Sequence, residues 1–304
     1  MRDERGFSLV ELLVAMLIML IISGAATAAL LKMTSTQATI WNRTQMHSGI
    51  RGATEVLQQE VGQAGRIALP ATATLGGAVT VINSPTTVAI TSASGTGGMF
   101  PNEYLTIDAG ANQETVQISA VSASPAQISA TFTLPHSSGA TVAVFGAFQA
   151  GIVPPSMTNG SSGTVLKLFG DVNGDGNMVY VEYTCDTAGG NLYRNSMAWN
   201  TATKAAATAS QILLSNITAN PGGTACFTYQ TSTLAGVDFI TNVAVTLTVQ
   251  TQQKDPVTKA YQTETKALLN VAPRNIINAA ALAFMEQLTA RVQPTPAAIT
   301  NLLP

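Results

Sequence analysis

The most constraining feature of this sequence is an apolar run from Phe7 to Leu31, FSLVELLVAMLIMLIISGAATAALL. Glu11 is its only ionisable side chain. As an α-helix, these 25 residues would be about 37 Å long, which exceeds the roughly 30 Å of a hydrocarbon core. The run therefore predicts one membrane-spanning helix over residues 7–31.

A short charged segment, residues 1–6, precedes the apolar run. In an ordinary secretory signal the small residue of the cleavage site follows the apolar stretch, whereas here Gly6 precedes it. A cut after Gly6 would remove residues 1–6 as a leader and leave the helix on the mature chain. Arg2 and Arg5 lie before the span and Lys32 follows it. The positive-inside rule therefore predicts a single-pass protein with its leader in the cytoplasm and its head outside.

Glu11 is a carboxylate inside the predicted span. Such a position costs about 2.5 to 3.5 kcal/mol, so it indicates a function with a defined partner, either a cation or a proton. If the chain is cut after Gly6, the new α-amine of Phe7 is the nearest candidate cation, on the same chain or on a neighbouring copy. The alternative is a plain single-pass anchor in which Glu11 lies near the cytoplasmic interface.

The segment GFSLVELLVAMLIM, starting at Gly6, resembles the prepilin cleavage and methylation motif of type IV pilins and type II secretion pseudopilins. The resemblance implies cleavage between Gly6 and Phe7 by a prepilin peptidase, N-methylation of Phe7, and a role for Glu11 in docking into a filament. Other pilins and an inner-membrane assembly platform are then partners. The protein would be single-pass in the inner membrane with its head in the periplasm, and would then reach the pilus or cell surface. Major pilins commonly have a proline within this helix, and its absence here favours a minor pilin.

The helical pattern continues over residues 32–66 with no proline before Pro70. An apolar stripe recurs every three or four residues and consists of Met46, Ile50, Ala53, Leu57, Val61 and Ala64. The opposite face is polar and carries Arg43, Arg51, Glu55, Gln58, Gln59 and Gln63. We expect an amphipathic half-helix that docks on the head. Its end, LQQEVGQAGRIAL, resembles PilW-like minor pilins and the related pseudopilin J.

The rest of the chain reads as two sets of β-strands, so the predicted fold class is α+β. Residues 72–150 contain short Thr, Val and Ile-rich segments separated by turn residues, which predicts an inserted all-β module. YLTIDAGANQETVQISAV and FTLPHSSGATVAV in it resemble small β-barrel-like modules. Residues 151–275 predict an antiparallel head, in which VYVEYTC and NVAVTLTVQ resemble PilW-like heads. For the tail, residues 276–304, steps of three and four at Ile277, Ala281, Phe284 and Leu288 predict a helix.

Cys185 and Cys226 both lie in the second β set. Two thiols in one exported domain tend to pair in an oxidising compartment, so we expect a disulfide. The alternatives are two separate buried thiols or, less in keeping with the spacing, a zinc site.

Asp171, Asn173, Asp175 and Asn177 place oxygen ligands at alternate positions around two glycines, and with Glu182 they match a calcium-loop pattern. The residues that follow read as a strand, which would carry Glu182 about 17 to 20 Å away. Any calcium site would therefore take its missing ligands from water or an adjoining loop. The alternative is an Asn-Gly and Asp-Gly hairpin turn.

Composition and motifs narrow the function. Charged residues make up 10% of the chain, the net charge is -2, and the basic residues are scattered, so nucleic acid is not an evident partner. The hydrolase, zinc-protease and nucleotide-binding motifs that we sought are absent from the sequence, which argues against an enzyme and a required cofactor. The first interpretation is a minor pilin. The alternatives are a secretion pseudopilin and a membrane-tethered adhesion or binding module.

Overall fold

The structure is a computed structural model that describes residues 8–204, 211–234, 237–285, 288–300 and 302. Gly6 and Phe7, the predicted cleavage and methylation residues, lie outside this part of the chain. The protein divides into two compact units, residues 1–49 with 250–264 and residues 50–249 with 265–304. The fold class is α+β, as predicted from the sequence.

The helices are α1 (Leu9–Gln63), α2 (Arg274–Met285) and α3 (Ala297–Thr300). The first strands are β1 (Ala73–Leu75), β2 (Pro85–Ser92), β3 (Tyr104–Ile107), β4 (Glu114–Ala123), β5 (Ala126–Thr131), β6 (Thr141–Val144) and β7 (Ala147–Phe148). The next are β8 (Val165–Gly170), β9 (Val179–Asp186), β10 (Asn191–Ala198), β11 (Ile212–Ser215) and β12 (Ile217–Thr218). The last are β13 (Phe227–Leu234), β14 (Val237–Gln250), β15 (Thr263–Val271) and β16 (Val292–Gln293).

Helix α1 is continuous because residues 9–63 contain no proline and many strong helix formers. Its C-terminal part has the predicted amphipathic pattern, and Ile50, Ala53, Leu57 and Val61 are all buried. The helix ends at Gln63, three residues before the predicted limit of 66. There the chain turns through Gly65 with a φ of 78°, a conformation that favours glycine.

The inserted module is a closed six-stranded barrel in the order β1-β2-β5-β4-β3-β6. Alternation along each strand sends every second side chain inward, where Leu105, Ile107, Ile118, Ile128 and Phe132 fill the centre. The closing pair is β1 with β6, in which Ala73 lies opposite Val142. The sequence indicated most of these strands but not the three-residue β1.

The head contains two antiparallel sheets. One has the order β11-β10-β9-β8, and the other has β12-β14-β13 with β15 paired to β14. Its core includes the aromatic side chains of Phe148, Phe169, Tyr180 and Phe227, each at most 1% exposed. Strand β9 buries Val181, Tyr183 and Cys185 on one face, and Tyr183 of this face hydrogen-bonds with Glu60 of α1.

The tail differs from the prediction in two ways. It is not helical throughout, because β16 pairs in parallel with β7 between α2 and α3. In addition, α2 buries Ile276, Ala279 and Ala283, whereas Ile277 in the predicted stripe is 37% exposed. Apolar residues occur on several faces of α2, so helical periodicity alone does not identify the buried face. The face that contains alanines is buried because small side chains let the helix pack closest to its neighbours.

Candidate functional site: helix α1 and its contacts

Glu11 takes part in the cap of α1. The Ser8 N–H and hydroxyl lie 3.3 and 3.4 Å from Glu11 Oε2, and the Glu11 N–H donates to Ser8 Oγ at 3.2 Å. This reciprocal pattern is a capping box, which satisfies two N–H groups that the first helical turn leaves without partners. Glu11 therefore has a local structural role that our sequence interpretation missed, although the Ser-x-x-Glu spacing signals it.

The apolar part of α1 is uncovered within the described chain. Every residue from 9 to 31 is exposed, including Leu9, Leu17, Ile22 and Leu31. This stretch is long and apolar enough to cross a membrane. An exposed apolar surface of this size requires lipid or other protein around it.

Farther along α1, a buried ion pair fixes the helix to β10. Arg194 Nε lies 3.0 and 3.2 Å from the two Glu60 carboxylate oxygens, and Arg194 Nη2 lies 2.5 Å from Oε1. Tyr183 also donates its hydroxyl proton to Glu60 Oε2. Burial and the Glu60 charge raise the pKa of Tyr183, so its hydroxyl stays a donor. The Glu60 side chain is 7% exposed, so the ion pair that joins α1 to β10 is largely shielded from water. Its hydrogen bonds are charge-assisted, which strengthens them and fixes their geometry.

A hairpin, residues 250–264, lies against the middle of α1. Asp255 Oδ2 accepts a hydrogen bond from Thr39 Oγ1 at 2.6 Å, Arg43 donates to Gln262, and His47 lies against Glu264. Asp255 Oδ1 also accepts from two backbone N–H groups in its turn, at 2.7 and 2.9 Å. The hydrogen bond from Thr39, with those from the turn, lowers the pKa of Asp255 to about 2. Asp255 thus joins the turn of the hairpin to the helix.

Comparison with known proteins bears on the N-terminus of the chain. Residues 1–27 match the family model of the prokaryotic N-terminal methylation motif. This match shows a prepilin-type methylation motif at the N-terminus, which supports a type IV pilin-like protein. The motif implies processing by prepilin peptidase and assembly with other pilins, and with the apolar helix it fits membrane anchoring. No curated protein matches the chain at a significant level.

The predicted disulfide is present in the head. Cys185 at the end of β9 and Cys226 just before β13 are bonded with a Cα–Cα distance of 6.5 Å. Both residues are at most 4% exposed. The bridge links the two head sheets, because β9 and β13 belong to different sheets.

The calcium-loop residues form the connection between β8 and β9, where Gly170 pairs with Val179. Asp171 Oδ1 accepts from the Asp175 N–H at 3.0 Å, and Asp175 Oδ1 accepts from the Asn177 N–H at 2.8 Å. The other Asp171 oxygen lies 3.4 Å from Arg66 Nε, and the Asp171 side chain is fully buried.

These contacts bear on the two interpretations of the loop. The hairpin turn is present, and Arg66 supplies the positive charge that the buried Asp171 carboxylate needs. Glu182 is engaged elsewhere, since it accepts from the Tyr180 hydroxyl and from Lys204 Nζ, each at 2.9 Å. Calcium binding at Asp171, Asn173, Asp175 and Asn177 stays a prediction, in which the ion would replace Arg66 beside Asp171.

His136 in the barrel has carboxylate partners that are distant in sequence. Its Nε2 lies 2.7 Å from Glu114 Oε1 and its Nδ1 lies 3.4 Å from Asp108 Oδ2. Burial acts to raise the pKa of Glu114, but hydrogen bonds from Thr133, His136 and Leu134 outweigh it and hold this pKa below its ordinary value. These contacts tie the segment after β5 to the start of β4, which is a structural role.

Proposed function

We propose that this chain is a minor pilin, a structural subunit that assists assembly or initiation of a type IV pilus. The observation that carries the proposal is the methylation motif over residues 1–27, continued by an exposed apolar helix that holds Glu11 near its start. In the membrane, lipid covers this helix. In a filament, the corresponding helices of neighbouring subunits cover it.

In this proposal, docking of a subunit into the filament is driven by the attraction between two opposite charges. After a cut behind Gly6, the methylated amine of Phe7 keeps its positive charge, and the Glu11 carboxylate of a neighbouring subunit is its partner. At a separation of about 4 Å, two opposite charges attract by roughly 4 kcal/mol at an effective dielectric constant near 20. The free energy needed to move a subunit from the bilayer into the filament is therefore lower when both charges are paired than when they are unpaired.

The contacts of Glu60 support a structural role for the head. A subunit in a filament must transmit force between its helix and its head. The buried contact from Glu60 to Arg194 and Tyr183, together with the Cys185–Cys226 bridge between the sheets, provides that connection. Contacts of this kind suit a rigid structural subunit.

The experiment must separate the charge of Glu11 from its capping role. Glu11→Gln keeps a side-chain oxygen for Ser8 and removes the charge, whereas Glu11→Ala removes both. We expect both variants to insert in the membrane and to lose the leader, and both to be missing from sheared filaments. Immunoblots of membrane and filament fractions, with mass spectrometry of the N-terminus, measure this. Wild-type amounts of Glu11→Gln in filaments would refute charge-dependent docking.

The closed barrel favours a second candidate, a membrane-tethered module that binds a partner at the surface. The barrel has its own core and is not needed to complete the head sheets. A protein of this kind would stay in the membrane fraction when filaments are sheared. A secretion pseudopilin, the third candidate, would assemble only with the components of a secretion system.

A further inference from the structure

The hairpin of residues 250–264 has a direction along α1. Successive contacts join Thr39 to Asp255, Arg43 to Gln262 and His47 to Glu264. The two arms are closed by hydrogen bonds from the Thr251 N–H to the Gln262 carbonyl and from the Asp255 N–H to the Ala260 carbonyl. The turn therefore lies at the end nearest Thr39, and the hairpin extends towards the membrane-spanning part of the helix.

The height of this turn above the membrane follows from helix geometry. Thr39 lies eight residues after Leu31, which corresponds to about 12 Å along the axis. Residues 256–259 extend beyond Asp255, and two residues can reach up to about 7 Å. The turn then lies about 5 to 7 Å above the end of the span. The headgroup layer on each side of a hydrocarbon core is about 5 to 8 Å deep.

The side chains at this turn suit a headgroup layer. Within the segment 254–261, which we call the tip, Val257 is 70% exposed and Tyr261 is 45% exposed. Lys254 Nζ lies 5.6 Å from the centre of the Tyr261 ring, and Lys259 is also exposed. The tip contains two lysines and one aspartate, so its net charge is positive. The aspartate, Asp255, is buried and accepts hydrogen bonds from Thr39 and from its own turn.

We propose that the tip contacts the surface of the membrane in which α1 is anchored, with Val257 and Tyr261 among the headgroups and Lys254 and Lys259 on anionic phospholipid phosphates. This contact would hold the hairpin side of the helix against the bilayer before the subunit enters a filament. It rests on membrane anchoring by α1. A second copy of the chain is the competing occupant, and the experiment distinguishes it.

The test uses the full chain in vesicles of phosphatidylcholine and phosphatidylglycerol at 3:1, with a nitroxide on one added cysteine. The native cysteines are bonded to each other, so only the added thiol reacts. Labels at Val257→Cys, Leu30→Cys and Val81→Cys report the tip, the span and an exposed barrel site. Accessibility to oxygen, which concentrates in lipid, is compared with accessibility to a water-soluble nickel chelate.

We expect the Leu30 label to be oxygen-accessible, the Val81 label to be nickel-accessible, and the Val257 label to lose nickel accessibility relative to the same protein in neutral detergent. Lys254→Gln with Lys259→Gln should reverse the loss, since each lysine near an anionic surface changes the equilibrium constant for the contact by about five-fold. Gln is matched to Lys here, because both lysines are exposed and Gln removes the charge while keeping a long polar side chain.

The possible failures are distinct. A Val257 label as accessible to nickel as Val81, with Leu30 in lipid, would overturn the tip contact and leave the anchor intact. A Leu30 label accessible to nickel would overturn the membrane anchor and the tip contact together. Loss of nickel accessibility in detergent that grows with protein concentration would assign the tip to a second copy and refute the lipid contact.

Discussion

Glu103 makes the stability of the barrel depend on pH. Its side chain is fully buried between the turn at Phe100 and the start of β3. Oε2 accepts the Phe100 N–H at 3.2 Å, and Oε1 has no hydrogen-bond partner among the described residues. Burial raises the pKa of Glu103 from 4.5 to about 8. The carboxyl group is therefore protonated in the folded protein at neutral pH.

The sign and size of the effect follow from proton linkage. Between pH 4.5 and about 8 the folded state holds a proton on Glu103 that the unfolded chain has lost. Stability is thus fully present below pH 4.5 and falls as pH rises, by about 1.4 kcal/mol per pH unit, until the folded pKa is passed. The total loss is about 5 kcal/mol, of which about 3 kcal/mol is lost at pH 7.

The assay is urea unfolding of the full chain in neutral detergent between pH 5 and 8. The chain has two tryptophans, so fluorescence is measured in a Trp41→Phe background. Trp199 then reports this region, because its ring lies 5.8 Å from that of Phe100. Glu103→Gln should remove the downward slope with pH. Glu114→Gln is the control, because the pKa of Glu114 is lowered and does not contribute in this range. An unchanged slope in Glu103→Gln, or a flat wild-type profile, would refute the reasoning.

The other predictions concern the bridge, the ion pair and the loop. Reducing the Cys185–Cys226 bond, which spans 41 residues, should lower the free energy of unfolding by about 4 kcal/mol; non-reducing peptide mapping and unfolding with reductant check this, and two freely alkylated thiols would contradict it. Arg194→Met should destabilise the head by about 3 to 5 kcal/mol, because it leaves the buried Glu60 carboxylate without its cationic partner and with only the Tyr183 hydroxyl donating to it. Adding Glu60→Met should recover most of the loss in a double-mutant cycle. If calcium binds the loop, melting at 100 times its dissociation constant should show about 2.7 kcal/mol of stabilisation. Asp175→Ala should abolish that shift, and equal melting temperatures with calcium and with chelator would leave only the turn.

Features that depend on local pattern were predictable from the sequence. The buried stripe of α1 follows from helical periodicity, and Ile50, Leu57 and Val61 are buried accordingly. The hairpin turn at residues 171–178 follows from its glycines and from the strand-like segments on both sides. The disulfide was predictable because the exported part of the chain meets an oxidising compartment and the sequence has only two cysteines to pair.

Features that depend on distant pairing were not predictable. Glu60 lies beside the apolar stripe of α1, and nothing local indicates that Arg194, 134 residues away, supplies its charge partner. His136 similarly meets Glu114 only because the barrel brings the segment after β5 beside β4. In α2, several faces were apolar enough to be buried, so the choice among them was made by the shape of the surface it packs on.

The way the chain leaves and rejoins the head has a mechanical consequence. Arg66 and Ala147 form an antiparallel bridge, and the Phe148 N–H donates to the Gly65 carbonyl at 2.8 Å. The two ends of the barrel segment are thus joined by this pairing of residues 65–66 with residues 147–148, which we call the clasp, and the barrel is a side branch of the head. Tension between the C-terminal part of α1 and the head sheets would cross this clasp and the Glu60 contact, and would bypass the barrel strands. A change in the size or surface of the branch that keeps Gly65, Arg66, Ala147 and Phe148 would therefore leave this load path in place.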